Sequence, residues 1–466
     1  MNIHTHMKRT FSYTILLVAI GFLLAGPLFG AGSRDTTTST GDGGPVTVEF
    51  WHSNSGLLGE AMTELVARFN ATVGTEKAIV VQEIYQGKAA DVATKLRAGL
   101  QANRAQDLPD LAQLDATGVM DVRDSSMMVP VQTLVESDPD FNLDELQPGT
   151  VLSMTYKGKL IGMPFNASTI LLYYNKDAFK EAGLDPEKPP RTLAELADYA
   201  GKLVIYDSDG KTVVRYGFAG VPTTYELVSW IGQQHGVSYL TDKSNGHDGN
   251  PTKVVFDSEG TLATFLDEWR KVYASGGLGN LTSDVRQQFI AGKTAMFATS
   301  TSSLATVIDS VAGRFELGAG YFPMVNSEST GGVNIGGGAI FVFENKNDPG
   351  KRASWEFLKY LMSAESQLFW HQKTGYFPVN LGTYGLPGFK DHIARNPLFK
   401  VAIDQLNDSS PQIQSVWWPN SYQAYFEIQN GILEMLEKGL GTEETVQKLS
   451  SVLNRYMDEY NRMNKE

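Results

Sequence analysis

Between Pro45 and Ala116 the hydrophobic period of the chain switches repeatedly between two values, and no other feature narrows the fold as much. Val46, Val48 and Phe50 alternate with polar residues, the period of a half-buried strand. Leu58, Met62, Leu65, Val66 and Phe69 then fall on one face at helical spacing. "AIVVQEIY" from Ala78 reads as a second strand, a polar and amphipathic stretch runs to Ala105, and "LPDLAQLDA" from Leu108 ends on a third short strand. Strands alternating with helices predict a mostly parallel sheet flanked by helices, because parallel neighbours need a connection about as long as a helix. Ligands of such sheets sit outside the carboxyl ends of the strands. That rule puts "WHSNSG" and "LDAT" at the candidate ligand edge, with Trp51, His52 and Asp115 as candidate contacts. The competing reading makes Trp51 a core residue and His52 a satisfied loop residue.

Further on, the local signals are stronger still. "YKGKLIGMPFN" sets a Lys157-Gly158 turn between extended residues and predicts a hairpin. "ILLYYN" from Ile170 is almost wholly apolar, as expected for a strand buried on both faces. Asn175 is an N-cap for a short helix that Gly183 ends at C′. Beyond Pro189 and Pro190, Thr192 and Glu195 form a T-x-x-E capping box for a helix carrying Leu196, Ala200 and Leu203.

A chain of 466 residues exceeds what one core usually serves, so two lobes are expected. Lys8 and Arg9 precede an apolar run to about Leu28 that is broken by Gly21, Gly26 and Pro27, and small residues follow. This predicts a cleaved export signal at 1–31; the run also lies near the lower limit for a membrane anchor. Residues 32–44, containing "RDTTTSTGDGG", read as a flexible tether. Cysteine is absent, which removes disulfides, thiolate metal sites and a lipidated N-terminal cysteine, and points to a periplasmic protein that is not a lipoprotein. Loss of Lys8 and Arg9 takes the net charge from −13 to −15. So acidic a surface disfavours nucleic-acid partners. No metal-ligand spacing occurs, "GKT" at Gly292 lacks the earlier glycine of a phosphate loop, and no cofactor is expected.

The segment from Tyr156 to Leu203 resembles the lobe-crossing region of family 1 extracellular solute-binding proteins, the capture subunits of ABC importers. "FWHS" at 50, "FIAGKTAMFATSTSSL" at 289, "NIGGGAIFV" at 334 and "WHQKTGYFPV" at 370 resemble the same family in the same order, with most similarity to its glycerol-3-phosphate-binding branch. The resemblance implies an α/β, two-lobed periplasmic binding protein fold with three interlobe crossings, near 164–169, 332–337 and 375–379. It implies lobe 1 at 45–167 and 338–374, and lobe 2 at 168–337 and 375–466. The implied function is non-enzymatic: a monomer captures a small polar solute, such as glycerol 3-phosphate, a glycerophosphodiester or a sugar, and delivers it to the transmembrane permease subunits.

Residue by residue, the resemblance carries Ser168, Ser300, Gly337 and Tyr376 onto ligand-contacting positions, and places Asp115 within about one residue of an acidic position that holds ligand hydroxyls. It departs at Ala89 and Leu193, where the family has aromatics, and at Phe426, which aligns with a phosphate-binding arginine. Trp417, Trp418, Tyr422, Tyr425 and Phe426 offer faces for a sugar or a quaternary ammonium group, or else pack the lobe. "NIGGGA" is expected to lend local flexibility to a crossing. The alternative function is a secreted carbohydrate-active hydrolase, which needs two carboxylates facing each other across a cleft.

Overall fold

The computed structural model describes residues 44–344 and 348–464. The expected signal at 1–31 and all of the expected tether but Gly44 lie outside the described residues. Residues 45–466 form one compact unit.

Two mixed sheets organise the two lobes. The first takes Ile79–Tyr85, Val46–His52, Leu111–Asp115, Gly336–Phe343 and Met128–Val129 in that order, with Met163–Ser168 also paired to Gly336–Phe343. The second takes Leu278–Gly279, Val213–Ala219, Thr294–Ser300, Ile170–Asn175 and Leu317–Tyr321, with Ile205–Tyr206 beside Val213–Ala219. On the main path of each sheet one strand alone runs against the rest: Gly336–Phe343 in the first and Ile170–Asn175 in the second. Each is the strand that follows a crossing. A chain arriving from the other lobe enters at the carboxyl edge of the parallel strands and has to run back through the sheet.

The local predictions explain why these elements form. Lys157 and Gly158 have φ of 47° and 76° between the paired strands Thr155–Tyr156 and Lys159–Leu160, the doubly positive geometry of a tight hairpin. Asn175 accepts from the N–H groups of Asp177 and Ala178 at 3.0 Å each, and starts Lys176–Glu181. Thr192 caps Leu193–Leu203 through the Glu195 N–H, while Glu195 reaches back one residue further than expected, to the Arg191 N–H. Every residue of Ile170–Asn175 is buried. Its period of two sends Ile170, Leu172 and Tyr174 into the large core beneath the helices of this lobe, and Leu171 and Tyr173 into a smaller cluster with Phe289, Phe297 and Phe399. Each such side chain contributes roughly 1.5–3 kcal/mol of burial.

Thr169 alone links Met163–Ser168 of the first sheet to Ile170–Asn175 of the second. It is fully buried, its carbonyl accepts from the Thr301 N–H at 2.8 Å, and its hydroxyl donates to the Asn334 carbonyl at 3.2 Å. Phe377 in turn donates its N–H to the Ala167 carbonyl at 3.1 Å. The three connections between lobes therefore lie side by side, the arrangement of a hinge. "NIGGGA" supplies close packing there rather than flexibility: Gly337 has φ of +104°, and a Cβ on it would fall 1.7 Å from the Asn166 carbonyl oxygen. Glycine is required because the two strands approach at that point.

Candidate functional site

The carboxyl ends of both sheets face one cavity of about 330 Å³. Asp115 ends Leu111–Asp115, Ser168 ends Met163–Ser168 and Ser300 ends Thr294–Ser300, while Gly336–Gly338 enter from the reversed strand. Tyr376 joins them just after helix Ala364–Thr374. A Cβ on Gly336 would lie 3.1 Å from the Tyr225 hydroxyl oxygen and 3.3 Å from Ser168 Oγ, so strand end, crossing and helix Thr224–Gly232 converge within a few ångströms.

The polar groups are held in place before any ligand enters. Asn54 Nδ2 donates to Gln113 Oε1, and Gln113 Nε2 donates to Asn166 Oδ1, both at 2.8 Å, a relay along the first sheet's edge. Thr117 donates its N–H at 3.0 Å and its hydroxyl to Asp115 Oδ1. Burial raises the pKa of Asp115 against these hydrogen bonds. Ser300 Oγ accepts from the N–H and hydroxyl of Ser302 at 3.2 and 3.0 Å. Burial also pushes the phenols of Tyr225 and Tyr376 well up, so both are protonated donors near neutral pH. Ser168 and Ser300 flank the Tyr225 hydroxyl, but neither meets it with good hydrogen-bond geometry. A buried hydroxyl in that condition is ready for a ligand atom or a water.

A second chamber, also about 330 Å³, adjoins the first through Ala116, Thr117, Tyr225 and Ser415. Its walls are aromatic: Trp418, Tyr422, Tyr425 and Phe426 with Tyr225. Among the described residues no lysine or arginine lines either chamber, and Asp115 is the one carboxylate.

Of the residues singled out from sequence, Asp115, Ser168, Ser300, Gly337 and Tyr376 meet in the polar cavity, and Trp418 lines the aromatic one. Three do not line either. Trp51 donates its indole N–H to Glu49 Oε1 at 2.6 Å. His52 is buried with Nε2 3.2 Å from Glu83 Oε2, and its Nδ1 accepts the Asn54 N–H at 3.2 Å, so it holds the loop that carries Asn54. Trp417 is fully buried and stacks on His247 at 3.7 Å between ring centroids. Its neighbour in "WWPN", Trp418, instead lines the aromatic chamber. Ala89 does line the cavity, where its small side chain leaves room, whereas Leu193 is core. Residues that sequence reasoning passed over are Tyr225 and Gln113. One signal was present for Tyr225: Thr223 and Glu226 form a full capping box just after a strand, which puts Tyr225 at the carboxyl edge.

Comparison with known proteins agrees with this geometry. The family described as bacterial extracellular solute-binding protein matches residues 64–401. The chain belongs to that family. It is 31% identical over 373 residues to the sn-glycerol-3-phosphate-binding periplasmic protein UgpB of Escherichia coli K12, covering 78% of this chain and 81% of that one. Among solved structures, UgpB from Mycobacterium tuberculosis in complex with glycerophosphocholine superposes with a TM-score of 0.73 at 23% identity, covering 90% of this chain and all of that one. The cyclic alpha-maltosyl-1,6-maltose binding protein of Arthrobacter globiformis gives 0.73 at 22%, with 89% and 100% coverage. These solute-binding proteins share the two-lobed fold seen here.

Proposed function

We propose that this protein is the periplasmic capture subunit of an ABC importer, a monomer that closes on a neutral glycoside or a glycerophosphodiester and hands it to the permease. The observation that carries the choice of solute is the make-up of the two joined chambers: hydroxyls, amides and one carboxylate in the first, aromatic rings in the second, and no cation in either. Hydroxyls both donate and accept, and so match Asp115, Ser168, Ser300 and Tyr225 together. A phosphate monoester dianion would meet Asp115 and no positive partner, a poor exchange for its hydration. A glycerophosphodiester carries one charge fewer and can set its substituent against Trp418 and Tyr425. UgpB of Escherichia coli, named for glycerol 3-phosphate, and the maltosyl-maltose binding protein of Arthrobacter bracket this range.

Lobe 1 at 45–167 and 338–374 and lobe 2 at 168–337 and 375–466 are the moving bodies in this reading, with Asp115 and Ser300 closing on the solute from opposite sides. Export is by the signal at 1–31. Among the described residues no helix is long and apolar enough to cross a membrane, which accords with a protein that meets its permease from outside. The carbohydrate-hydrolase reading needs a carboxylate facing Asp115 across the cavity, and the cavity lining supplies none. The test is mass spectrometry of solute released from protein purified without added ligand, followed by its return to stripped protein. Recovery of the same compound unchanged, with a raised melting temperature, supports capture; products of cleavage would refute it.

A further inference from the structure

The second lobe holds another cavity, of about 170 Å³, over the carboxyl end of Val213–Ala219. That strand has Leu278–Gly279 on one side and Thr294–Ser300 on the other, both parallel to it, so their carboxyl ends lie together at this edge, where ligands of such sheets bind. The floor is aromatic, with Trp269 5.4 Å from Trp230 and 6.0 Å from Phe218 between ring centroids. Trp230 satisfies its indole N–H on the Pro323 carbonyl at 2.9 Å. Trp269 does not: it is 1% exposed, and its Nε1–H has no partner although it borders this cavity. Trp370 and Trp417 share that lack, but neither borders this cavity or the two chambers of the cleft.

An acceptor lies on the same wall. Glu226 accepts on Oε2 from the Thr223 N–H at 2.9 Å and the Thr223 hydroxyl at 2.5 Å, and its carboxyl group keeps further acceptor capacity. Arg286 stands at the rim with Nη1 3.3 Å from Ser303 Oγ. A buried donor, a carboxyl acceptor and an aromatic floor describe the partner of a hydroxyl-bearing ring, whose hydroxyls accept and donate while its C–H face packs on the rings. At about 170 Å³ the space is little more than the roughly 150 Å³ that holds one benzene, so it takes one ring at most, with the outer hydroxyls toward its mouth.

We propose that this cavity is a second carbohydrate subsite, in which Trp269 donates to and Glu226 accepts from the hydroxyls of a single sugar ring. The ring can be a free monosaccharide or the end unit of a longer solute. Tyr425 borders both this cavity and the aromatic chamber, and Thr299 here precedes Ser300 there, so the two spaces share a wall. Only the longer form rests on the capture reading above.

The test follows the indole N–H signals of the whole protein by nuclear magnetic resonance, with Trp269 identified by the peak lost in Trp269→Phe. Methyl α-glucoside and maltotriose are the probes. The expected result is a shift of the Trp269 peak with one or both, with an affinity that Glu226→Gln weakens about tenfold, the loss of a hydrogen bond to a charged acceptor. Glutamine retains an acceptor for Thr223, so the helix cap survives. In the Ser168→Ala, Ser300→Ala double variant the glucoside response persists if the ring binds by itself, and the maltotriose response weakens if the solute spans both sites; both outcomes support the subsite. A Trp269 peak that neither probe moves overturns it, even where calorimetry records binding in the cleft.

Discussion

Protonation of His371 should cost this fold about 3 kcal/mol, and lowering the pH is the perturbation that shows it. The ring is 1% exposed, near the end of helix Ala364–Thr374, among Phe389, Phe399 and His392 at 5.2–5.4 Å between centroids. Nδ1 donates to the Tyr376 carbonyl at 2.7 Å, and Nε2 has no partner. A second proton would have to sit on Nε2 without water or an acceptor. Burial, helped a little by His392, accordingly brings the pKa down to about 4. In the unfolded chain the ordinary value is about 6.5, and each unit of difference is worth about 1.36 kcal/mol, so 2.5 units give about 3 kcal/mol. The group is depressed on folding. Its contribution is therefore complete above about pH 6.5 and is lost as the pH falls from there to about 4. His371→Gln keeps a donor for Tyr376 and does not titrate. Urea unfolding of both proteins between about pH 7 and pH 4 should show the wild type losing stability relative to the variant by this amount. A gap that does not change with pH would refute the reasoning.

Gly337→Ala should lower stability by about 1–3 kcal/mol, because a Cβ at φ of +104° meets the Asn166 carbonyl oxygen at 1.7 Å; thermal melts check this. Ser168→Ala and Ser300→Ala should each weaken solute binding by about 0.5–1.5 kcal/mol with folding nearly intact, and wild-type affinity by calorimetry in both would remove them from the site. Solute should draw the lobes together about the connections at Thr169, Asn334 and Phe377, and an unchanged radius of gyration by small-angle scattering on adding a proven ligand would count against it.

What could be read from sequence was what short stretches decide by themselves. The Lys157-Gly158 hairpin, the Asn175 cap and the buried strand Ile170–Asn175 each depend on a few residues and on general geometry. The strand-end rule reached Asp115, and the family resemblance pointed to Ser168, Ser300, Gly337 and Tyr376, which line the same cavity. Trp51, His52 and Trp417 line neither chamber, and residue type alone does not say which way a side chain faces. The relay Asn54, Gln113, Asn166 was hidden for a different reason: its members come from three separate strands or loops, and only tertiary packing aligns them. In the same way nothing local marks Trp269 as unpartnered, since its environment is assembled from other strands and helices.

The central claim is that the joined chambers favour hydroxyls and an aromatic-facing substituent over a phosphate dianion. Calorimetric titration of glycerol 3-phosphate, glycerophosphocholine and maltose into stripped wild-type protein and Asp115→Asn tests it directly. The account predicts that glycerophosphocholine or maltose binds at least about tenfold more tightly than glycerol 3-phosphate, a difference of about 1.4 kcal/mol. It also predicts that Asp115→Asn narrows the gap by removing the carboxylate that repels the monoester. Tight binding of glycerol 3-phosphate alone, unchanged by Asp115→Asn, would contradict it.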